Sequence, residues 1–232
     1  MEIAPVRFSF QSPLLIWDID GTLIEAKGTG RRALNSAFEA IYQVPEAFNE
    51  LDFAGASDHD LWEQARSRYA PNATATQAPH FFREYLPRLS DELSKNPLNP
   101  LPGVVGLVAF LSQIGWPLAL GTGNVRAGAY RKLSRAGLAN YFPGGGFSEP
   151  GQSREAMLQL VHRTQGLGRP AIVIGDTPTD IGAAHAGGIP VIAVATGRFP
   201  EDALRRAGAD AVLPHLKCRS DFIDAVLWLL QR

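Results

Sequence analysis

Short apolar runs that break off into small or acidic residues set the rhythm of this chain. Leu14-Leu15-Ile16-Trp17 runs into Asp18-Ile19-Asp20-Gly21-Thr22, and Pro117-Leu118-Ala119-Leu120 runs into Gly121-Thr122-Gly123-Asn124. Ala171-Ile172-Val173-Ile174 runs into Gly175-Asp176-Thr177-Pro178-Thr179-Asp180. Val191-Ile192-Ala193-Val194 leads to Ala195-Thr196-Gly197, and Ala211-Val212-Leu213 is a shorter fifth run. Continuous apolar runs of this length, closed by turn residues, predict strands buried on both faces. Helical periodicity lies between them, at about 125–137, 153–166, 179–187 and 200–207, with a last helix over 220–231 that puts Phe222, Val226 and Leu229 or Leu230 on one face. The alternation predicts an α/β fold with a Rossmann-like parallel sheet. Ligands bind such sheets beyond the carboxyl ends of the strands. The polar signatures after Trp17, Leu120 and Ile174 should therefore meet in one crevice.

One crossover is too long. A βαβ unit takes roughly 30 residues, yet Pro117 follows Trp17 by about 100 positions. The intervening stretch has helical patterns at 31–42, with Leu34, Phe38 and Ile41 on one face, and at 57–69 and 76–93. Pro97, Pro100 and Pro102 punctuate the return. The expected organisation is an α/β core of residues 1–27 and 99–232 with an inserted helical cap of residues 28–98, hinged near 25–30 and 95–103.

Composition narrows the function. The 232 residues carry 22 basic and 23 acidic side chains, a formal net charge of -1, which argues against nucleic acid as a partner. One cysteine, Cys218, excludes both a disulfide framework and a cysteine zinc cluster. The opening MEIAPVRFSF has no apolar leader core, and the longest mostly apolar stretch, 104–114, is well short of the roughly 20 residues of a membrane span. The expectation is a soluble cytoplasmic protein with no membrane partner. His59, His80, His162, His185 and His215 have no metal-ligand spacing and read as surface or core residues.

The strand-end residues carry the candidate chemistry. Asp18 and Asp20, two apart on extended backbone, point to the same side. Their mutual repulsion calls for a hard divalent cation. Gly21 permits the turn and Thr22 places a hydroxyl beside it. An Asp-rich turn explains this motif equally well on its own. Asp176 can complete a cation site, although capping of the next helix by Thr177 or Thr179, with Asp180 in its first turn, is the stronger reading of that motif alone. The amides of Thr122, Gly123 and Asn124 and the Thr122 hydroxyl can cradle a phosphate, where a plain turn is the simpler alternative. Arg154 opens a helix against its macrodipole and so needs an anion nearby.

Together these residues resemble the four motifs of the haloacid dehalogenase-like hydrolases, in particular their phosphoglycolate-phosphatase-like branch: Asp18-x-Asp20-Gly-Thr22, Thr122, Arg154, and Gly175-Asp176-x-x-x-Asp180. The resemblance spans nearly the whole chain. It departs at Arg154, where the family more often has lysine; no lysine lies between Lys132 and Lys217. The resemblance implies a Mg²⁺-dependent phosphatase acting on a small phosphorylated metabolite, phosphoglycolate or a sugar phosphate among them. It implies Asp18 as nucleophile, Asp20 as general acid and base, and Mg²⁺ held by Asp18, the Asp20 backbone carbonyl and Asp176. Thr122, Gly123, Asn124 and Arg154 would bind the phosphoryl group, with Thr22 and Asp180 in support.

Substrate choice would lie in the cap. Gly55-Ala56-Ser57-Asp58 resembles the cap loop of the branch, which makes Asp58 a specificity candidate, although Ser57 reads first as a helix cap. Phe53, Trp62, Phe81 and Phe82 read as core. Oligomeric state is left open. Rival activities fit less well. A dehalogenase has no use for Asp20 and Asp176, and a phosphonatase needs a cap lysine where only Lys27 and Lys95 are available. A hexose-phosphate mutase has a different cap entry from Lys27-Gly28-Thr29-Gly30. A silent binding or regulatory protein would not need every catalytic position filled.

Overall fold

Among the described residues, six parallel strands form one sheet in the order β3-β2-β1-β4-β5-β6, where β1 is Leu14–Trp17, β2 Leu118–Gly121, β3 Gly145–Gly146, β4 Ala171–Gly175, β5 Val191–Val194 and β6 Ala211–Leu213. This computed structural model describes residues 11–25 and 27–232. The reading of the first ten residues as lacking a leader, and Ala26 of the first hinge, lie outside them. β1 pairs with β2 through Ile16 opposite Ala119 and with β4 through Ile16 opposite Val173. The order is doubly wound, and the chain reverses direction of travel between β1 and β4.

Strand residues alternate between two cores. Leu15, Trp17, Leu118, Leu120, Ile172, Ile174, Ile192 and Val194 face one side. There they meet α4 (Val104–Gln113), α5 (Arg126–Arg135) and α9 (Arg219–Leu229), with Trp17 stacked on Phe222 at 5.5 Å between centroids. Leu14, Ile16, Ala119, Ala171, Val173, Val191 and Ala193 face the other side, against α6 (Arg154–Gln165), α7 (Pro178–Ala186) and α8 (Glu201–Arg206).

The long first crossover holds α1 (Thr29–Tyr42), α2 (Asp58–Tyr69) and α3 (Ala78–Lys95), an inserted helical cap. Its interior is aromatic: Phe38 meets Phe48 edge-on at 5.6 Å, and Phe48 stacks on Phe81 at 6.2 Å. Trp62, Phe81 and Phe82 are core, as read from the sequence. Phe53 is only half-buried and faces a cavity, which corrects its assignment to the core.

Among the strands and α-helices of the described residues, two have no counterpart in the sequence reading. The 104–114 stretch, weighed only as a membrane span, is α4, buried through Val104, Leu107, Val108 and Leu111. β3 is two glycines, which carry no hydrophobic signal. No helix among the described residues is long and apolar enough to cross a membrane.

Candidate active site

The turn after β1 is built around the Ile19 carbonyl, which accepts from the amides of Thr22, Leu23 and Ile24. The Asp18 amide still donates to the Ile174 carbonyl of β4 at 2.9 Å, so its backbone is fixed at the switch point of the sheet. Gly21 takes φ 89°, and a Cβ there would stand 2.3 Å from Asp176 Oδ2. Thr22, fully buried, donates from Oγ1 to Asp176 Oδ1 at 3.0 Å. The motifs after β1 and β4 thus lock together.

Asp180 serves two ends. Its Oδ2 accepts from the Thr177 amide at 3.1 Å and hydroxyl at 2.7 Å, closing a capping box on α7. Its Oδ1 lies 2.5 Å from Arg154 Nη2 without the alignment of a hydrogen bond. The same Nη2 donates to Asp18 Oδ1 at 2.9 Å and to the Gly121 carbonyl at 3.1 Å. Arg154 therefore sits where the sequence placed it, capped at its helix by Ser153 and turned into the carboxylates.

In the loop after β2 the Thr122 and Asn124 amides are already engaged, which leaves the Gly123 amide of the expected cradle. The Thr122 amide is taken by the Gly146 carbonyl, the Asn124 amide by Thr122 Oγ1, and the Val125 amide by Asp58 Oδ2 at 2.8 Å. Asn124 uses its side chain instead, with Nδ2 donating to Thr122 Oγ1 at 2.8 Å and to Asp20 Oδ2 at 2.7 Å. Thr122 Oγ1, an acceptor in both contacts, keeps its own proton to donate. Gly123 lies under the cap: its carbonyl accepts from the Asp58 amide at 2.7 Å, and a Cβ would stand 2.5 Å from the Ala56 carbonyl oxygen.

Asp58 is both a first-turn residue and part of the site wall. Ser57 caps α2, as expected, through the Asp60 amide. Burial pushes the Asp58 carboxyl up to about 6, against the pull of Lys132 and the Val125 amide.

Sequence reasoning missed Lys132. This buried side chain of α5 places Nζ 2.6 Å from Asp20 Oδ2 and 2.6 Å from Asn124 Oδ1. A signal was present: Lys132 and Ala129 share the apolar face that also carries Leu133, so a cation was being carried into the interior. Lys27 and Lys95, weighed for a phosphonatase, are not among the residues lining the cavity.

The carboxylates are short of positive charge. Burial pushes Asp18 up to about 7, with Asp180 and Asp20 adding to the rise and Arg154 opposing it. Burial and the neighbouring Asp18 and Asp180 push Asp176 up to about 8. Burial opposes the charge on Arg154, but Asp180 and Asp18 outweigh it and hold the guanidinium firmly protonated. Asp18, Asp20, Asp176 and Asp180 face two cations, Arg154 and Lys132, and a divalent ion would close that difference. Oxygens of Asp18, Asp176 and Asp180 lie within 4.8 Å of one another, and Asp180 Oδ1, Asp20 Oδ1 and Arg154 Nε are buried without hydrogen-bond partners. The donor set, all oxygen and anionic, fits a hard cation. Asp180 joins this group of carboxylates, while the Asp20 carboxylate is turned to Lys132 and Asn124; the sequence reading named only the Asp20 backbone carbonyl as a ligand.

Asp18, Asp20, Thr122, Lys132, Arg154 and Asp176 line one cavity of about 610 Å³ between the sheet edge and the cap, with Phe53, Leu34 and Leu61 on its cap side. The model of the haloacid dehalogenase-like hydrolase family matches residues 15–194. The phosphoglycolate phosphatase of Mesorhizobium japonicum is 26% identical over 209 residues, covering 88% of this chain and 91% of that protein. The phosphoglycolate phosphatase of Rhodobacter capsulatus is 27% identical over 203 residues, covering 84% and 91%. Among solved structures, CbbY from Rhodobacter sphaeroides in complex with phosphate shares the fold, with a TM-score of 0.67 at 20% identity over 89% of this chain and 96% of that one. The chain belongs to the haloacid dehalogenase-like hydrolases.

Proposed function

We propose that this chain is a phosphatase that hydrolyses a small phosphate monoester through an aspartyl-phosphate on Asp18. One observation carries the reading: Asp18, Asp20, Thr122 and Asp176, from three separate strand ends, and Arg154, from the start of α6, line a single cavity. A phosphate dianion is repelled by carboxylates, so attack by Asp18 requires neutralisation. Mg²⁺, held by Asp18, the Asp20 carbonyl and Asp176, would supply Lewis-acid neutralisation of the phosphoryl oxygens.

The chain's own groups do the rest. Arg154 and the Thr122 hydroxyl bind phosphoryl oxygens, with Gly123 and Asn124 shaping the loop that presents Thr122. The Asp18 carboxylate forms the new bond to phosphorus as the bond to the leaving oxygen breaks. Asp20 gives its proton to that oxygen, then takes one from the water that cleaves the acyl phosphate, which returns Asp18 and releases inorganic phosphate. Thr22 and Asp180 hold Asp176 and Arg154 in place. The cap, taken as residues 28–98, excludes bulk water while the phosphoryl group moves.

The relatives support phosphoglycolate as a candidate substrate, and the cavity has room for a sugar phosphate as well. Screening the protein with Mg²⁺ against a panel of phosphate monoesters, phosphoglycolate included, tests both. Release of phosphate from members of the panel, lost in Asp18→Asn, is the expected result. Absence of release with or without metal would favour a binding protein, and halide release without metal a dehalogenase.

A further inference from the structure

Lys132 lies on the helix after the second motif, outside the four motifs, and is aimed at the group that moves the proton. We propose that Lys132 is a positioning residue for proton transfer: with Asn124 it holds one oxygen of Asp20, so that the other oxygen exchanges the proton with the leaving group and with water. The inference rests on the phosphatase reading above, in which Asp20 is the acid and base.

The geometry is that of a closed network. Lys132 Nζ donates to Asp20 Oδ2 and to Asn124 Oδ1, both at 2.6 Å. Asn124 Nδ2 donates to the same Asp20 Oδ2 at 2.7 Å and to Thr122 Oγ1 at 2.8 Å. The Asn124 amide is thereby fixed in one orientation, since its carbonyl faces an ammonium that has only donors. Oδ2 of Asp20 thus carries two donors, one of them charged, which makes it a poor place for a proton. Oδ1 has no hydrogen-bond partner among the described residues, and Asp20 lines the cavity. Exchange accordingly falls to Oδ1.

The lysine is well suited to this task. Its side chain is 5% exposed, so its charge must be paired inside the protein, and Asp20 pairs it. It is also the cap-side wall of the network: a Cβ on Gly30 of α1 would stand 3.7 Å from Nζ. Proton transfer proceeds as follows. Asp20 Oδ1–H protonates the leaving oxygen as the phosphorus–oxygen bond breaks, giving an alcohol and the Asp18 phosphate. Asp20 Oδ1 then takes a proton from water as the water oxygen bonds to phosphorus and the Asp18 oxygen departs.

A leaving-group comparison separates positioning of the acid from a merely structural role. Phenyl phosphate needs its leaving oxygen protonated, and 2,4-dinitrophenyl phosphate does not. In Lys132→Met, kcat/KM for phenyl phosphate should fall by about 100-fold or more, while that for 2,4-dinitrophenyl phosphate stays within about three-fold. Lys132→Gln, which keeps a donor without the charge, should show the same discrimination at smaller size, and it serves if the methionine variant does not fold. Equal losses on both esters, or no loss on either, would overturn the inference. Failure of the wild-type protein to release phosphate from either ester with Mg²⁺ would instead overturn the phosphatase reading on which it rests.

Discussion

Thr22 donates a hydrogen bond to Asp176 across 154 residues of sequence, at 3.0 Å and fully buried. This bond joins the turn after β1 to the end of β4 and fixes the carboxylate that completes the acidic group. Thr22→Val removes the donor and leaves Asp176 Oδ1 buried without a partner, a cost of about 1–3 kcal/mol. The expected outcome is a lower Tm in the absence of metal and weaker Mg²⁺ activation, read from melting curves and from a magnesium titration of activity.

Stability without metal should fall as pH rises. Asp18 is pushed up to about 7 and Asp176 to about 8 from an ordinary 3.8, so between those limits the folded chain binds protons that the unfolded chain has released. Stability is then greatest at the acidic end of that window, declines as pH rises through it, and levels off above the folded-state values. Metal binding displaces those protons, so the Tm gain on adding Mg²⁺ should be larger at pH 8 than at pH 6. Melting curves in chelator and in Mg²⁺ at several pH values measure both slopes.

Arg154 joins Asp18, Asp180 and the Gly121 carbonyl through one nitrogen. If Arg154 binds the phosphoryl group as proposed, Arg154→Met should lower kcat/KM by about 100- to 1,000-fold. Arg154→Lys keeps the charge but lacks the planar fork, and should fall between the two. Steady-state kinetics on one ester distinguish them.

Gly123 lies where the cap loop presses on the core. Gly123→Ala would drive a methyl group against the Ala56 carbonyl oxygen, 2.5 Å away, and strain the bond from the Asp58 amide to Gly123. The cap loop must move off the site. KM should rise several-fold with a smaller change in kcat, since the reacting carboxylates are untouched. A change in kcat alone would place Gly123 in the chemistry instead.

Much of this arrangement was legible in the sequence because strand ends advertise themselves. The runs before Asp18, Gly121 and Gly175 are apolar on both faces, and their order forces the polar residues that follow to one edge of the sheet. The long crossover announced the cap for the same reason. Three features stayed hidden. β3 is Gly145-Gly146, held by pairing to Leu120 and Gly121 with no side chain to mark it. The amides of Thr122 and Val125 look free in sequence but are taken by Gly146 and Asp58, partners that only the tertiary fold supplies. Lys132 was passed over because a lysine in a helical pattern is ordinarily solvated. Its burial depends on Asp20, 112 residues away. Asp180 shows the opposite case: capping of α7 and pairing with Arg154 read as alternatives, and one carboxylate makes both contacts.

Acid quench during turnover tests the central claim most directly. The wild-type protein, stopped in acid while hydrolysing a phosphate monoester with Mg²⁺, should carry one phosphoryl group on the peptide containing Asp18, and mass spectrometry reads this. Asp18→Asn should show neither the modified peptide nor phosphate release. Phosphate release that survives Asp18→Asn, with no phosphorylated peptide in the wild type, would contradict the account.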